Sequence, residues 1–189
     1  MVKKFILGSQ SPRRQQLLQL MNIPFEVRVP NVVEDFPVEM DIRKVAEYLA
    51  GKKATALLDT LNEDEILITA DSTVICHEKI YNKPENKEEA IFMLKQLSAH
   101  RHEVITGVWI GNKEINESFS DTTLVDFARM TEEEINFYVN NQLPLDKAGA
   151  YGIQDWIGVS LVKSITGSYT NVMGLPTHRV YKILSSYTT

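Results

Sequence analysis

The sequence predicts an α/β fold, a mixed twisted sheet with flanking helices, from three observations. Segments of strand character alternate with segments of helical periodicity along the chain. Ile66-Leu67-Ile68-Thr69-Ala70 is a continuous apolar run, the signature of a strand covered on both faces. Several later strands are joined by connections too short for a parallel crossover, which makes the sheet mixed.

Each element has its own justification. Lys4-Phe5-Ile6-Leu7 reads as a short buried strand. It runs into Ser9-Gln10-Ser11-Pro12, where Ser11 can cap a helix and Pro12 suits its first position. Leu17, Leu18 and Met21 follow at helical spacing, and residues 25–29 form a second strand. Ile42, Val45, Ala46, Leu49, Ala56 and Leu57 mark one face of a longer helix. Gly51 inside it costs about 1 kcal/mol relative to alanine, which points to special local geometry. Asn86 and Glu89 resemble a capping box ahead of Ala90, Met93, Leu94 and Leu97, and Thr131 and Glu134 make a better one, opening a helix to about Asn140. Residues 104–110, 122–127 and 159–165 read as strands. Pro176 opens a last helix carrying Val180, Ile183, Leu184 and Tyr187.

Composition bounds what the chain can be. Its 189 residues carry 20 Lys+Arg against 25 Asp+Glu, a formal net charge of −5, with 43% hydrophobic and 24% charged residues. That balance excludes wholesale disorder, collagen and coiled coil. No Pro/Gly/Ser linker, low-complexity tract or repeat interrupts it, so a single domain over residues 1–189 is expected. One cysteine, Cys76, excludes an internal disulfide and a thiolate cage, and a packed thiol is the default. The basic pair Lys3-Lys4 precedes only a three-residue apolar run, too short for a signal peptide, and no stretch approaches a membrane span, so a cytoplasmic protein is expected. The acidic balance argues against a nucleic-acid coat protein and leaves room for a locally basic pocket.

The residues that can carry chemistry cluster at segment ends. Arg13 and Arg14 place two guanidiniums in the first turn of a helix, against its macrodipole. An anion held by backbone N–H groups, hydroxyls and both forks would relieve that conflict; otherwise the arginines are solvated or paired with carboxylates. Asp71 follows the apolar strand at 66–70, beyond whose carboxyl end ligands gather in open α/β sheets. With hydroxyls Ser72 and Thr73 next to it, it can orient water or hold a divalent cation, or be a turn aspartate before a hairpin. Lys53 lies inside an apolar helical stripe, where it either snorkels to solvent or meets an anion. Lys83 follows a hairpin and Lys147 lies in a polar loop; with Arg13 and Arg14 these lysines suffice to neutralise a polyphosphate. Glu34-Asp35 and Glu103 are candidate metal carboxylates, or ordinary solvated acidic residues. His77, His100, His102 and His178 form no ligand motif, and His100 with His102 reads as a surface pair.

Six segments, in order, resemble the Maf family of nucleoside triphosphate pyrophosphatases. They are Ser9-Gln10-Ser11-Pro12-Arg13-Arg14, Thr69-Ala70-Asp71-Ser72-Thr73-Val74, Asn82-Lys83-Pro84, His102-Glu103-Val104-Ile105-Thr106-Gly107, the stretch from Asp146 to Gln154, and that from Gly167 to Pro176. The resemblance implies an inosine triphosphate pyrophosphatase-like fold in two lobes around a cleft, usually a homodimer. It also implies hydrolysis between the α- and β-phosphates with a divalent metal, Mg2+ or Mn2+. Asp71 matches the family's proton acceptor and Ser9, Arg14, Lys53 and Lys83 its phosphate-handling positions. Glu34 matches an acidic residue near the metal, which Asp71 would share. Arg13, Ser72 and Gln154 match positions of base selection and look like the branch acting on dTTP and UTP. A Gln amide offers a donor beside an acceptor, complementing the carbonyl and N–H of uracil or thymine. Four positions depart from the family's usual residues: Ser72 for Thr, Gln10 for a small residue, Ala99 for Gly, and the turn at residues 141–144. They touch substrate preference and leave the charged groups in place. The family's link to septum formation gives the alternative, a non-catalytic nucleotide-binding regulator of cell division; an RNA- or DNA-binding module is weaker still, given the acidic composition.

Overall fold

The computed structural model describes residues 3–187. Seven strands form one sheet in the order β2-β1-β3-β5-β6-β7, with β4 paired to β3. They are β1 Lys4–Leu7, β2 Phe25–Val27, β3 Glu65–Cys76, β4 Lys79–Tyr81, β5 Arg101–Gly111, β6 Asn116–Phe127 and β7 Val162–Thr166. β1 runs parallel to β2 and β3, whereas β4 on β3 and β7 on β6 are antiparallel, so the sheet is mixed as the short connections required. The helices are α1 Pro12–Leu20, α2 Val45–Thr55, α3 Lys87–Leu97, α4 Glu132–Gln142, α5 Trp156–Leu161, α6 Tyr169–Met173 and α7 Thr177–Ser185.

The chain divides into two compact units, each discontinuous. The first holds residues 1–71, 106–121 and 174–189; the second holds 72–105 and 122–173. β3, β5 and β6 each contribute residues to both units. The chain therefore changes unit inside regular strands, and no linker composition marks the change.

In the first unit, Ile6 and Leu67 on neighbouring strands pack with Ala50 and Ala54 of α2, with Leu57 just after it and with Trp109. Three contacts fix α2 on the sheet. Gly107 of β5 comes so close to the helix that a Cβ there would stand 2.2 Å from the Glu47 backbone nitrogen, so only glycine fits. Thr69 Oγ1 donates to the Ala50 carbonyl at 2.7 Å. Glu47 accepts from Ser118 Oγ at 2.9 Å and Ser120 Oγ at 3.2 Å on β6. Gly51, expected to mark special geometry, faces open space and is an ordinary helical glycine.

In the second unit, α3 buries Ala90, Met93, Leu94 and Leu97, the face its periodicity predicted, and packs on α4. Asn86 caps α3 through the Glu89 N–H, but Glu89 returns its carboxylate to the Glu85 N–H, so the box is half formed. At α4 the Thr131–Glu134 box is complete. β3 turns into β4 through His77 and Glu78, both at positive φ (50° and 55°), a tight hairpin pair.

Four expectations are corrected. β3 does not stop at Ala70; it continues to Cys76, so Asp71 sits within a strand. Its pairing with β1 ends at Ile68 opposite Leu7, which still leaves Asp71 just past the parallel part. The strand expected at 159–165 is the helix α5 followed by β7 from Val162. A Cβ on Gly158 would lie 2.1 Å from the Ile153 carbonyl oxygen, so α5 packs on that backbone at a position only glycine can take. Ser11 stands at the N-cap of α1 without a side-chain cap bond; Ser9 Oγ accepts from the Ser11 N–H instead, at 3.2 Å. His102 is no surface residue: it is 2% exposed.

Candidate active site

The register of β3 against α2 builds the centre of the site in the first unit. Strand side chains alternate with period two, so Thr69 and Asp71 share a face; Ala50 and Lys53 share a face of the helix at i, i+3. Thr69 is bonded to Ala50 and, one step along each element, Asp71 meets Lys53. Lys53 Nζ lies 2.5 Å from Asp71 Oδ1 and 2.6 Å from Glu34 Oε1. Lys53 and Asp71 are each 8% exposed, whereas the Glu34 side chain is 44% exposed. Lysine on the buried face has met anions rather than snorkelled, and they are the protein's own carboxylates. The neighbouring pair repeats the arrangement: Lys52 holds Asp35 by its side chain and its carbonyl, which fastens the irregular 34–35 segment to α2.

Arg14 supplies the second cation. It is buried in α1, its Nε donating to the Gly174 carbonyl at 2.9 Å and its Nη1 to Ser9 Oγ at 3.1 Å. Burial pushes its pKa below the ordinary arginine value. The Asp71 carboxylate works against that, Arg13 adds to it, and Glu34 again opposes it. Gly174 reaches Arg14 because it adopts φ 114°, a conformation open to glycine. Ser9 Oγ accepts from both Ser11 N–H and Arg14, so its own proton is the group left to donate. Arg13 is half-buried beside it. Ser9, Arg13, Arg14, Glu34, Lys53 and Asp71 all belong to the first unit. Three cations and two carboxylates there leave a positive excess at a helix N-terminus, an environment for a polyanion.

Ser72, Lys83 and Gln154 belong to the second unit. Ser72 is half-buried next to Asp71 in β3, and Lys83 is exposed after the β4 hairpin. Gln154 is half-buried with its Oε1 buried and lacking a hydrogen-bond partner among the described residues. Its turn is held from both sides. Tyr138 OH donates to Asp155 Oδ2 at 2.8 Å and accepts from the Gly152 N–H at 3.1 Å, and Tyr151 OH lies 2.7 Å from His102 Nε2. Burial, then the Asp155 carboxylate, pushes the Tyr138 phenol well above its usual range. Burial alone does so for Tyr151. Lys147 pairs with Asp146 at 2.7 Å and lies 3.8 Å from Asp155. Glu103 is half-buried in β5. Sequence reasoning missed the Gly174 carbonyl and the Tyr138 anchor. The first had a signal, a glycine inside the 167–176 motif; Tyr138 had none, since its partners lie 14 and 17 residues along the chain.

Residues 4–187 match the Maf-like protein family. The chain is 46% identical over 185 residues to the dTTP/UTP pyrophosphatase of Parabacteroides distasonis, covering 97% of this chain and 96% of that one. It is 44% identical over 187 residues to the dTTP/UTP pyrophosphatase of Porphyromonas gingivalis, covering 97% and 94%. Among solved structures, a HAM1 protein from Coxiella burnetii superposes with a TM-score of 0.54 at 12% identity, over 97% of this chain and 99% of that one, and shares the fold. On its sequence from Lys4 to Tyr187, this chain belongs to the Maf family.

Proposed function

We propose that this protein hydrolyses nucleoside triphosphates, dTTP and UTP foremost, to the nucleoside monophosphate and pyrophosphate. The observation that carries the reading is a buried aspartate, Asp71, held by Lys53 in a unit that also gathers Arg14, Arg13 and Ser9 at the start of α1. The names of the Parabacteroides and Porphyromonas relatives support it.

Arg14, the Ser9 hydroxyl and the α1 N-terminus receive phosphate oxygens. Lys53 and Lys83 are assigned to the triphosphate, where positive charge counts most as the leaving pyrophosphate gains electrons. Asp71 orients a water and accepts its proton as the oxygen attacks the α-phosphorus. The bond from the α-phosphorus to the bridging oxygen breaks, and pyrophosphate departs with the electron pair. Arg13, Ser72 and Gln154 are assigned to the base, where the Gln154 amide must turn its buried Oε1 to pair with a pyrimidine edge.

The donor set fits a divalent cation that arrives with its nucleotide. Mg2+ is commonly held by one or two carboxylates plus substrate phosphates. Asp71 and Glu34 are two such carboxylates on one ammonium, and no group of three or more His, Cys, Asp or Glu side chains that could hold a metal occurs among the described residues. Bound there, Mg2+ or Mn2+ supplies charge neutralisation of non-bridging phosphate oxygens.

The test is a panel of dTTP, UTP, CTP and GTP with Mg2+, assayed for pyrophosphate and monophosphate. Equimolar, metal-dependent release of both, fastest from dTTP and UTP, is expected. Orthophosphate as the product overturns the reading. Tight binding without turnover also overturns it and supports the nucleotide-binding regulator instead.

A further inference from the structure

We propose that Lys53 is a built-in counter-ion that stands where a divalent cation would otherwise sit, and yields the two carboxylates only when a polyanion draws its ammonium away. The proposal rests on the triphosphate reading for the anion. It adds an order to events: the metal site does not exist until nucleotide is present.

The argument starts from distances. One ammonium lies 2.5 Å from Asp71 Oδ1 and 2.6 Å from Glu34 Oε1, so both carboxylates converge on a single positive point. The Asp71 carboxylate is held by this ammonium through Oδ1. Two carboxylates brought together without a cation would repel, so the site needs a positive charge in that place. Lysine provides it internally. A metal ion entering beside it would meet the Lys53 ammonium at the point where both carboxylates converge, with the buried Arg14 of the same unit adding to the positive charge there.

Lysine is also the side chain suited to leaving. Its compact ammonium rides on a flexible four-carbon stem, whereas the planar fork of an arginine would bind the carboxylates in a fixed geometry. Lys53 comes from α2, which Gly107 and Thr69 lock to the sheet, so the stem can move while its root stays still. Glu34 lies on an irregular segment and its side chain is half-exposed, so it can follow a metal ion. The arrangement makes metal and nucleotide mutually dependent: whatever factor nucleotide adds to metal affinity, metal adds to nucleotide affinity.

Direct binding of Mn2+ followed by electron paramagnetic resonance reads this without turnover. In the absence of nucleotide, wild-type protein is expected to bind Mn2+ weakly, and Lys53→Met at least tenfold more tightly. Adding Asp71→Asn to Lys53→Met should remove the gain, which locates the new ion at these carboxylates. For wild-type protein, α,β-methylene-UTP should raise Mn2+ affinity well beyond what the nucleotide alone binds. Lys53→Gln, which keeps a hydrogen-bond donor, replaces Lys53→Met if the latter does not give a cooperative thermal melt. Equal Mn2+ affinity in wild type and the lysine variants overturns the proposal, as does a gain that survives Asp71→Asn. Since the Lys53 variants are compared without nucleotide, their outcome stands apart from the substrate panel: a protein that hydrolyses no triphosphate can still show the gain, and one that hydrolyses UTP can lack it.

Discussion

Lys53 Nζ and Asp71 Oδ1 are 2.5 Å apart although they come from a helix and a strand 18 positions distant in the chain. The contact is a register match, set by Thr69 on Ala50 one step earlier. An asparagine at 71 would keep an oxygen for the lysine, and Lys53 would keep Glu34. The fold should therefore survive a loss of charge at this point.

Asp71→Asn accordingly separates chemistry from stability. Removing a general base costs about 100- to 10,000-fold in rate. Pyrophosphate release from UTP and Mg2+ should fall within that range while the melting temperature moves by only a few degrees. A parallel loss of melting temperature and turnover would mark Asp71 as structural.

Gly107→Ala tests the platform beneath Lys53. Its Cβ would meet the Glu47 nitrogen at 2.2 Å and the Ala46 carbonyl carbon at 2.3 Å, both backbone atoms that no rotamer change can clear. Overpacking of this kind costs about 3 kcal/mol or more. For a chain of this size that lowers the melting temperature by roughly 6–12 °C. Thermal denaturation followed by circular dichroism measures it, and a shift below 2 °C would mean α2 rides free of β5.

Much of this fold was readable in the sequence where the signal was local. Pro12 marks the first residue of α1, Thr131 and Glu134 form their capping box, and Ala90, Met93, Leu94 and Leu97 point inward as spaced. The strand expected at 159–165 begins only at Val162, because residues 159–161 finish α5, where Gly158 packs on the Ile153 backbone in a contact that no local pattern carries. The site divides the same way. The buried position of Lys53 followed from helical spacing, but its partners did not, since Glu34 lies outside any periodic segment and Asp71 is fixed by pairing between elements. Arg14 bonds a carbonyl 160 residues away, a distance at which spacing says nothing. His102 was misjudged because alternation along β5 with His100 suggested a shared exposed face, whereas the strand begins only at Arg101.

His102 gives the pH dependence. The ring lies among apolar neighbours, 5.3 Å from Phe127 and 5.4 Å from Tyr151 between centroids, with Nε2 on the Tyr151 hydroxyl and Nδ1 lacking a partner among the described residues. Protonation would put a charge and an unpaired N–H into that place. Burial thus pushes its pKa down to about 4, with Asp126 opposing. The unfolded chain binds this proton near pH 6.5 and the folded chain near 4, so between those values the unfolded state carries more protons. Stability from this group is complete above about pH 6.5, falls as pH drops towards 4, and loses about 3 kcal/mol across that window. His102→Gln keeps a hydrogen-bonding group for Tyr151 and cannot titrate. It should be less stable than wild type at pH 7.5 yet show a flatter decline in urea-unfolding free energy between pH 6.5 and 4.5. Equal slopes for the two proteins would assign the acid sensitivity to the carboxylates.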